Sequence, residues 1–132
     1  MNKEITCIIK EFETFDDWQD KYFYIIDIGK KLSKLDKSQK IDANKVDGCI
    51  SQIWLVSEQK NGKYYFVADS DALIVKGLLA IVLRVFSGRT KEQILRNNFQ
   101  ELFNNLGLAN HLTPSRSNGL FAVIKKIISF MF

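Results

Sequence analysis

The sequence predicts an α+β domain of two layers, with a small antiparallel sheet of about three strands packed on helices. Three observations lead there. Helical apolar spacing fills both ends of the chain, two short β-type runs meet at Asn61-Gly62 in the middle, and 132 residues suffice for one core. Residues 1–132 are therefore read as a single domain.

Ile5, Ile8, Ile9 and Phe12 recur at helical spacing and predict a first helix ending near Glu13. Cys7 lies inside it and is read as a small buried or half-buried hydrophobe, the usual setting of a free cysteine. Thr14, with an acid three residues on, predicts the cap of a second helix. That helix carries an apolar stripe of Phe15, Trp18, Tyr22, Ile25, Ile26 and Gly29, and Lys30, Lys31 and Lys34 complement its C-terminal dipole. From Leu35 to Lys45 the chain is polar and reads as a surface connector.

Gln52–Glu58 and Lys63–Ala68 are rich in branched and aromatic residues, and the Asn-Gly between them is a strong hairpin signal. A third strand is expected before Cys49 or elsewhere, since a lone hairpin is marginal. Asp69-Ser70-Asp71 is expected to cap a helix from about Ala72 to Phe86 that is apolar nearly all round and so central. Gly77, unfavourable inside a helix, marks close packing there. Thr90-Lys91-Glu92-Gln93 is a capping box for a short helix. Phe99, Leu102, Phe103 and Leu106 support another that closes at Gly107. Thr113-Pro114 opens the last, with Leu120, Val123, Ile124, Ile127, Ile128 and Met131 on one face.

Composition excludes more than it assigns. The net charge of +4 comes without a basic stripe interleaved with aromatics, so nucleic-acid binding is not indicated. The apolar run Leu73–Phe86 is broken by Lys76 and Arg84 and is too short to span a bilayer, so no membrane role is expected. Two cysteines far apart make no disulfide framework and suit a reducing cytoplasm. With one histidine, His111, and no zinc spacing, phosphate-binding loop, dinucleotide fingerprint or CxxC pair, neither metal nor cofactor is expected. What remains is single-thiol chemistry at Cys49, or a cysteine with no chemistry at all.

Cys49 follows Gly48 at the join between the polar connector and the first β-type run. Gly48 permits backbone conformations closed to other residues, which suits a thiol at a loop tip. Six lysines between Lys30 and Lys45 precede it and would favour thiolate. Arg116 falls in the first turn of the last helix, where a cation is disfavoured. Its partner would be Asp69, Asp71 or an anionic sulfur, unless it simply reaches solvent.

Four blocks, Tyr22–Lys30, Val46–Trp54, Asp69–Leu78 and His111–Leu120, together resemble the SufE family of sulfur acceptors, from about Trp18 to Lys126. The resemblance implies a SufE/IscU-like fold and makes Cys49 the acceptor of persulfide sulfur from a SufS-like cysteine desulfurase. That partner holds the pyridoxal phosphate. It further implies stimulation of the desulfurase and delivery of sulfur to a downstream Fe-S scaffold, so the chain would be an accessory protein rather than an enzyme. Gly48, Ser51, Gln52, Asp71, His111 and Arg116 would support the loop or the partner interface. Departures from the family pattern are Ser33 where a proline is frequent, and Asn104 and Asn105 in place of acids. The first helix and Phe130-Met131-Phe132 lie outside the recognised stretch. Two other readings stay open: an acceptor feeding a different sulfur pathway, and a regulatory binding module in which Cys49 only packs.

Overall fold

In the computed structural model, residues 3–32, 35–47 and 51–132 are described. The helices α1 (Lys3–Glu13) and α2 (Trp18–Lys30) precede a connector with two 3₁₀ turns, Lys37–Gln39 and Asp42–Asn44. The hairpin β1 (Ile53–Lys60) and β2 (Lys63–Ser70) follows. Then come α3 (Leu73–Phe86), α4 (Lys91–Arg96), α5 (Phe99–Asn105), α6 (Leu108–His111) and α7 (Pro114–Ser129). The expected α+β class holds, as a mostly helical domain with a small antiparallel sheet.

The hairpin forms where Asn-Gly placed it. Asn61 (φ 53°) and Gly62 (φ 77°) supply the two left-handed residues of a tight turn, and the ladder runs from Lys60↔Lys63 to Ile53↔Ser70. Among the described residues the sheet has two strands, not about three. In the third strand's place is a single bridge, Lys45 to Trp54, where the Val46 amide donates to the Ile53 carbonyl at 2.8 Å. The hairpin is sustained by packing instead: Ile53, Leu55, Phe66 and Ala68 are buried in the core that α3 and α7 share.

α3 is the central helix and touches α1, α2, β2 and α7. Its crossing with α2 is close. A Cβ added at Gly77 would stand 2.0 Å from the Ile25 carbonyl oxygen, and one at Gly29 would stand 2.5 Å from the Gly77 nitrogen. No side chain larger than hydrogen fits between these backbones. Farther along, Phe86, Phe99, Phe103 and Phe121 join α3, α5 and α7, with ring centroids 5.1–6.5 Å apart.

Several expectations change. Cys7 is exposed rather than buried, because Ile5, Ile8 and Phe12 set the inward stripe of α1. At about 3.6 residues per turn, position 7 falls on the opposite side. Thr14 does not cap α2; its hydroxyl donates back to the Glu11 carbonyl at 2.6 Å, and the Asp17 carboxylate accepts from the Asp20 amide at 2.9 Å. α3 starts one residue later than expected, at Leu73, with Ala72 at the cap position and no side-chain cap bond. Asp69 and Asp71 are engaged elsewhere, and only Ser70 stays local, its hydroxyl accepting from the Ala72 amide at 3.3 Å. Beyond Gly107 (φ 73°) lies the unexpected short α6. The caps expected at Thr90 and Thr113 are present. Ser33 and Lys34 lie outside the described residues.

A polar junction ties α1 to α3. Arg84 grips both Glu11 oxygens, at 3.0 and 2.9 Å, and reaches Glu4 at 3.0 Å, while the Tyr24 hydroxyl of α2 donates to Glu11. The hydrogen bonds from Arg84 hold the Glu11 carboxyl below its ordinary value, and burial, with the Glu11 bond second, pushes Tyr24 up to about 12.

Two expectations follow. Gly77→Ala should lose about 1–3 kcal/mol or more in chemical denaturation, although alanine is the better helix former, because the Ile25 carbonyl occupies the space. Glu11, with a lowered folded-state pKa, contributes stability above its unfolded value of 4.5 that is lost as pH falls through the folded value. Glu11→Gln should therefore unfold more easily than the unsubstituted protein at neutral pH, and the gap should close in acid; denaturant titrations across pH would show it.

Candidate functional site

Gly48 and Cys49 lie outside the described residues, as does Ile50. The site is therefore built from the chain on either side of them. On the incoming side, Val46 is buried and bonded to Ile53, and Lys126 of α7 donates from Nζ to the Lys45 carbonyl at 3.0 Å. On the outgoing side, the Gln52 amide donates to Asp71 Oδ1 at 3.1 Å, and the Asp71 amide donates to the Gln52 carbonyl at 3.3 Å. Asp71 could not serve as a helix cap because it clamps the chain as β1 begins.

Ser51 lines a cavity of about 380 Å³. Ile53, Val75, Leu78 and Leu120 form its apolar wall, drawn from β1, α3 and α7. Thr113, Ser115 and Arg116, at the start of α7, form its polar rim. Arg116 is exposed, and its backbone amide donates to the Thr113 hydroxyl at 3.3 Å. Among the described residues no carboxylate is within ion-pair distance of its guanidinium.

The partners expected for Arg116 are taken. Asp69, only 4% exposed, pairs with Lys40 at 3.0 Å and Lys76 at 3.6 Å and accepts from the Ser70 amide at 2.8 Å. Burial opposes its ionisation, but the Lys40, Ser70 and Lys76 contacts together hold its carboxyl below the ordinary value. Asp71 is turned to Gln52.

Ser51 and Arg116 thus share one cavity, while Gln52 and Asp71 form the clamp next to it. His111 is elsewhere: it stacks on Trp18 of α2, ring centroids 4.2 Å apart and 10° from parallel, and does not line the cavity. Lys40 and Lys126 were not singled out from the sequence. Nothing local signals a lysine whose partner is 29 or 81 residues away. Among the described residues no cluster of His, Cys, Asp or Glu could hold a metal ion, and no helix is long and apolar enough to cross a membrane.

Three comparisons extend this picture. The SufE family model, described as an Fe-S metabolism associated domain, matches residues 6–131, so the likeness includes the first helix and nearly all of the C-terminal end, beyond the stretch recognised above. An uncharacterised SufE-like protein of Rhizobium meliloti is 40% identical over 126 residues, covering 92% of this chain and 90% of its own. Another, of Rhizobium etli, is 43% identical over 124 residues, covering 91% and 84%. The solution structure of a hypothetical protein from Thermus thermophilus superposes with a TM-score of 0.78 at 15% identity, over 97% of this chain and 93% of that one, which establishes the shared fold. With the family model spanning almost every residue, this chain belongs to the SufE family.

Proposed function

We propose that this protein is a sulfur acceptor in which Cys49 takes the outer sulfur of a persulfide carried by a cysteine desulfurase, stimulates that enzyme by clearing it, and hands sulfur on for iron–sulfur cluster assembly. The observation that carries the reading is the match of residues 6–131 to a family associated with Fe-S metabolism. The chain around Cys49 supports it. Two residues beyond the cysteine, Ser51 borders a cavity with an apolar wall and an arginine rim. The segments before and after the loop are each fixed by hydrogen bonds to helices or to each other.

The chemistry is thiol exchange on a persulfide. The Cys49 thiolate attacks the terminal sulfur of the desulfurase persulfide, a new S–S bond forms on Cys49, and the desulfurase cysteine departs as thiolate. No electrons are gained or lost overall. A thiolate is the nucleophile required, and the cationic rim of Arg116 favours the anionic sulfur on either side of the step. Asp71 holds the chain at Gln52, three residues beyond the cysteine. Pyridoxal phosphate belongs to the desulfurase, and this chain acts as accessory protein rather than enzyme. One hydrophobic cluster runs from Ile5 to Met131, which supports residues 1–132 as a single SufE-like domain. Two cysteines without a disulfide pattern suit the cytoplasm.

Intact mass after incubation with the desulfurase of the same cell and cysteine, without reductant, tests the function. A gain of one sulfur atom is expected, removable by reductant, absent in Cys49→Ser and unchanged in Cys7→Ser. Persistent gain in Cys49→Ser would assign the chemistry to another residue, and no gain in the unsubstituted protein would remove the function. Asp71→Ala should cost about 0.5–1.5 kcal/mol, the net range for a typical hydrogen bond, since this one is exposed. The same change should speed deuterium exchange at the Gln52 amide; unchanged exchange would show that Asp71 does not hold the loop.

A further inference from the structure

Lys3, Lys63, Arg89 and Arg96 belong to four separate segments: the start of α1, the start of β2, the turn between α3 and α4, and the end of α4. The fold brings all four to one cleft of about 630 Å³. It lies at the C-terminal end of α3, a helix of 14 residues and about 21 Å, whereas the cavity beside Ser51 lies toward the other end. Glu4 is the one acid among the described residues of the lining, and its carboxylate is already 2.9 Å from Arg84. Among the described residues no carboxylate is within ion-pair distance of Lys3, Lys63 or Arg96. Arg89 is half-buried and held in place: its guanidinium donates to the Arg84 carbonyl at 3.5 Å, and its own carbonyl accepts from the Tyr64 amide at 2.8 Å. The side-chain oxygen of Gln93 is engaged by the Thr90 amide at 3.0 Å, which leaves its NH₂ group as a further donor.

Two of these cations stand where local physics disfavours them. Lys3 is in the first turn of α1, against the helix dipole, and Lys63 faces Lys60 directly across the ladder. We propose that the cleft is a binding site for an oligophosphate, an anion that carries two or more phosphate groups. With Glu4 counted in full, the lining still has an excess of three positive charges. Two phosphate groups carry about that much negative charge near neutral pH. Guanidinium forks and lysine ammonium groups are both suited to phosphate oxygens. An acidic peptide fits less well, because its same-side carboxylates stand about 7 Å apart along an extended chain and spread the charge that phosphates concentrate. No aromatic ring is among the described lining residues, so the phosphates are read and nothing stacks on a base. The site is independent of the sulfur chemistry.

Calorimetric titration of the full chain with sodium pyrophosphate, checked by the rise of the thermal unfolding midpoint, is the test. Binding at one site with a Kd below about 1 mM is expected. Orthophosphate should bind about tenfold more weakly, since it engages fewer of the cations. Lys63→Gln and Arg96→Gln should each weaken pyrophosphate about tenfold. Lys125→Gln, which removes an exposed cation elsewhere on the surface, should leave it unchanged. ADP separates the two sources of such an anion: weaker or equal binding marks an inorganic oligophosphate, tighter binding an organic one, and either sustains the site. Absence of pyrophosphate binding by both measurements would overturn the proposal, as would an equal loss in Lys125→Gln. A tetraglutamate peptide that outbinds pyrophosphate would overturn it as well, by giving the cleft to an acidic protein segment.

Discussion

The contact between Gly29 and Gly77 is the constraint on which the arrangement depends. Two helix backbones meet there with no side chain between them, and the Ile25 carbonyl occupies the place of a Cβ on Gly77. Close approach fixes the angle and depth at which α2 lies on α3. Once α3 is set, its remaining surfaces receive α1, β2 and α7, so the hairpin and the last helix inherit their positions from the same crossing. The core is continuous from Ile5 to Met131 because every layer is packed on this helix or on one that touches it.

The cavity beside Ser51 follows from that geometry. Val75 and Leu78 come from one face of α3 and Leu120 from α7, so the pocket lies where these helices diverge around the first residue of the hairpin. Its apolar wall excludes water from one side while Arg116 offers charge on the other. Asp71, among the residues leading into α3, holds Gln52, and Lys126 of the final helix holds Lys45.

Local signals were read well from the sequence. The Asn61-Gly62 turn, the capping box at Thr90, the cap at Thr113-Pro114 and the demand for space at Gly77 each depend on a few neighbouring residues. Errors came where a tertiary contact outbid a local one. Asp71 has the composition of a cap, yet its carboxylate finds the Gln52 amide. Thr14 has the spacing of a cap, yet its hydroxyl turns back to α1 and leaves the task to Asp17. Cys7 was assigned by residue type, whereas helical phase placed it outside. The family was legible in the four blocks, but the contacts of Lys40 and Lys126 were not, because they arise only when distant segments meet.

The Arg84 junction joins residues far apart in sequence, since its partners Glu4 and Glu11 precede it by 80 and 73 positions. The bond from Lys126 to Lys45 spans 81. Such long closures are entropically slow to form and set a temporal order on assembly during synthesis. The first helix must wait, its inward face unprotected, until most of α3 has been made. The segment ahead of the thiol must wait longer, for the end of the final helix. The segment next to the part of the molecule that would do chemistry thus waits on both α3 and α7 before it is fully secured.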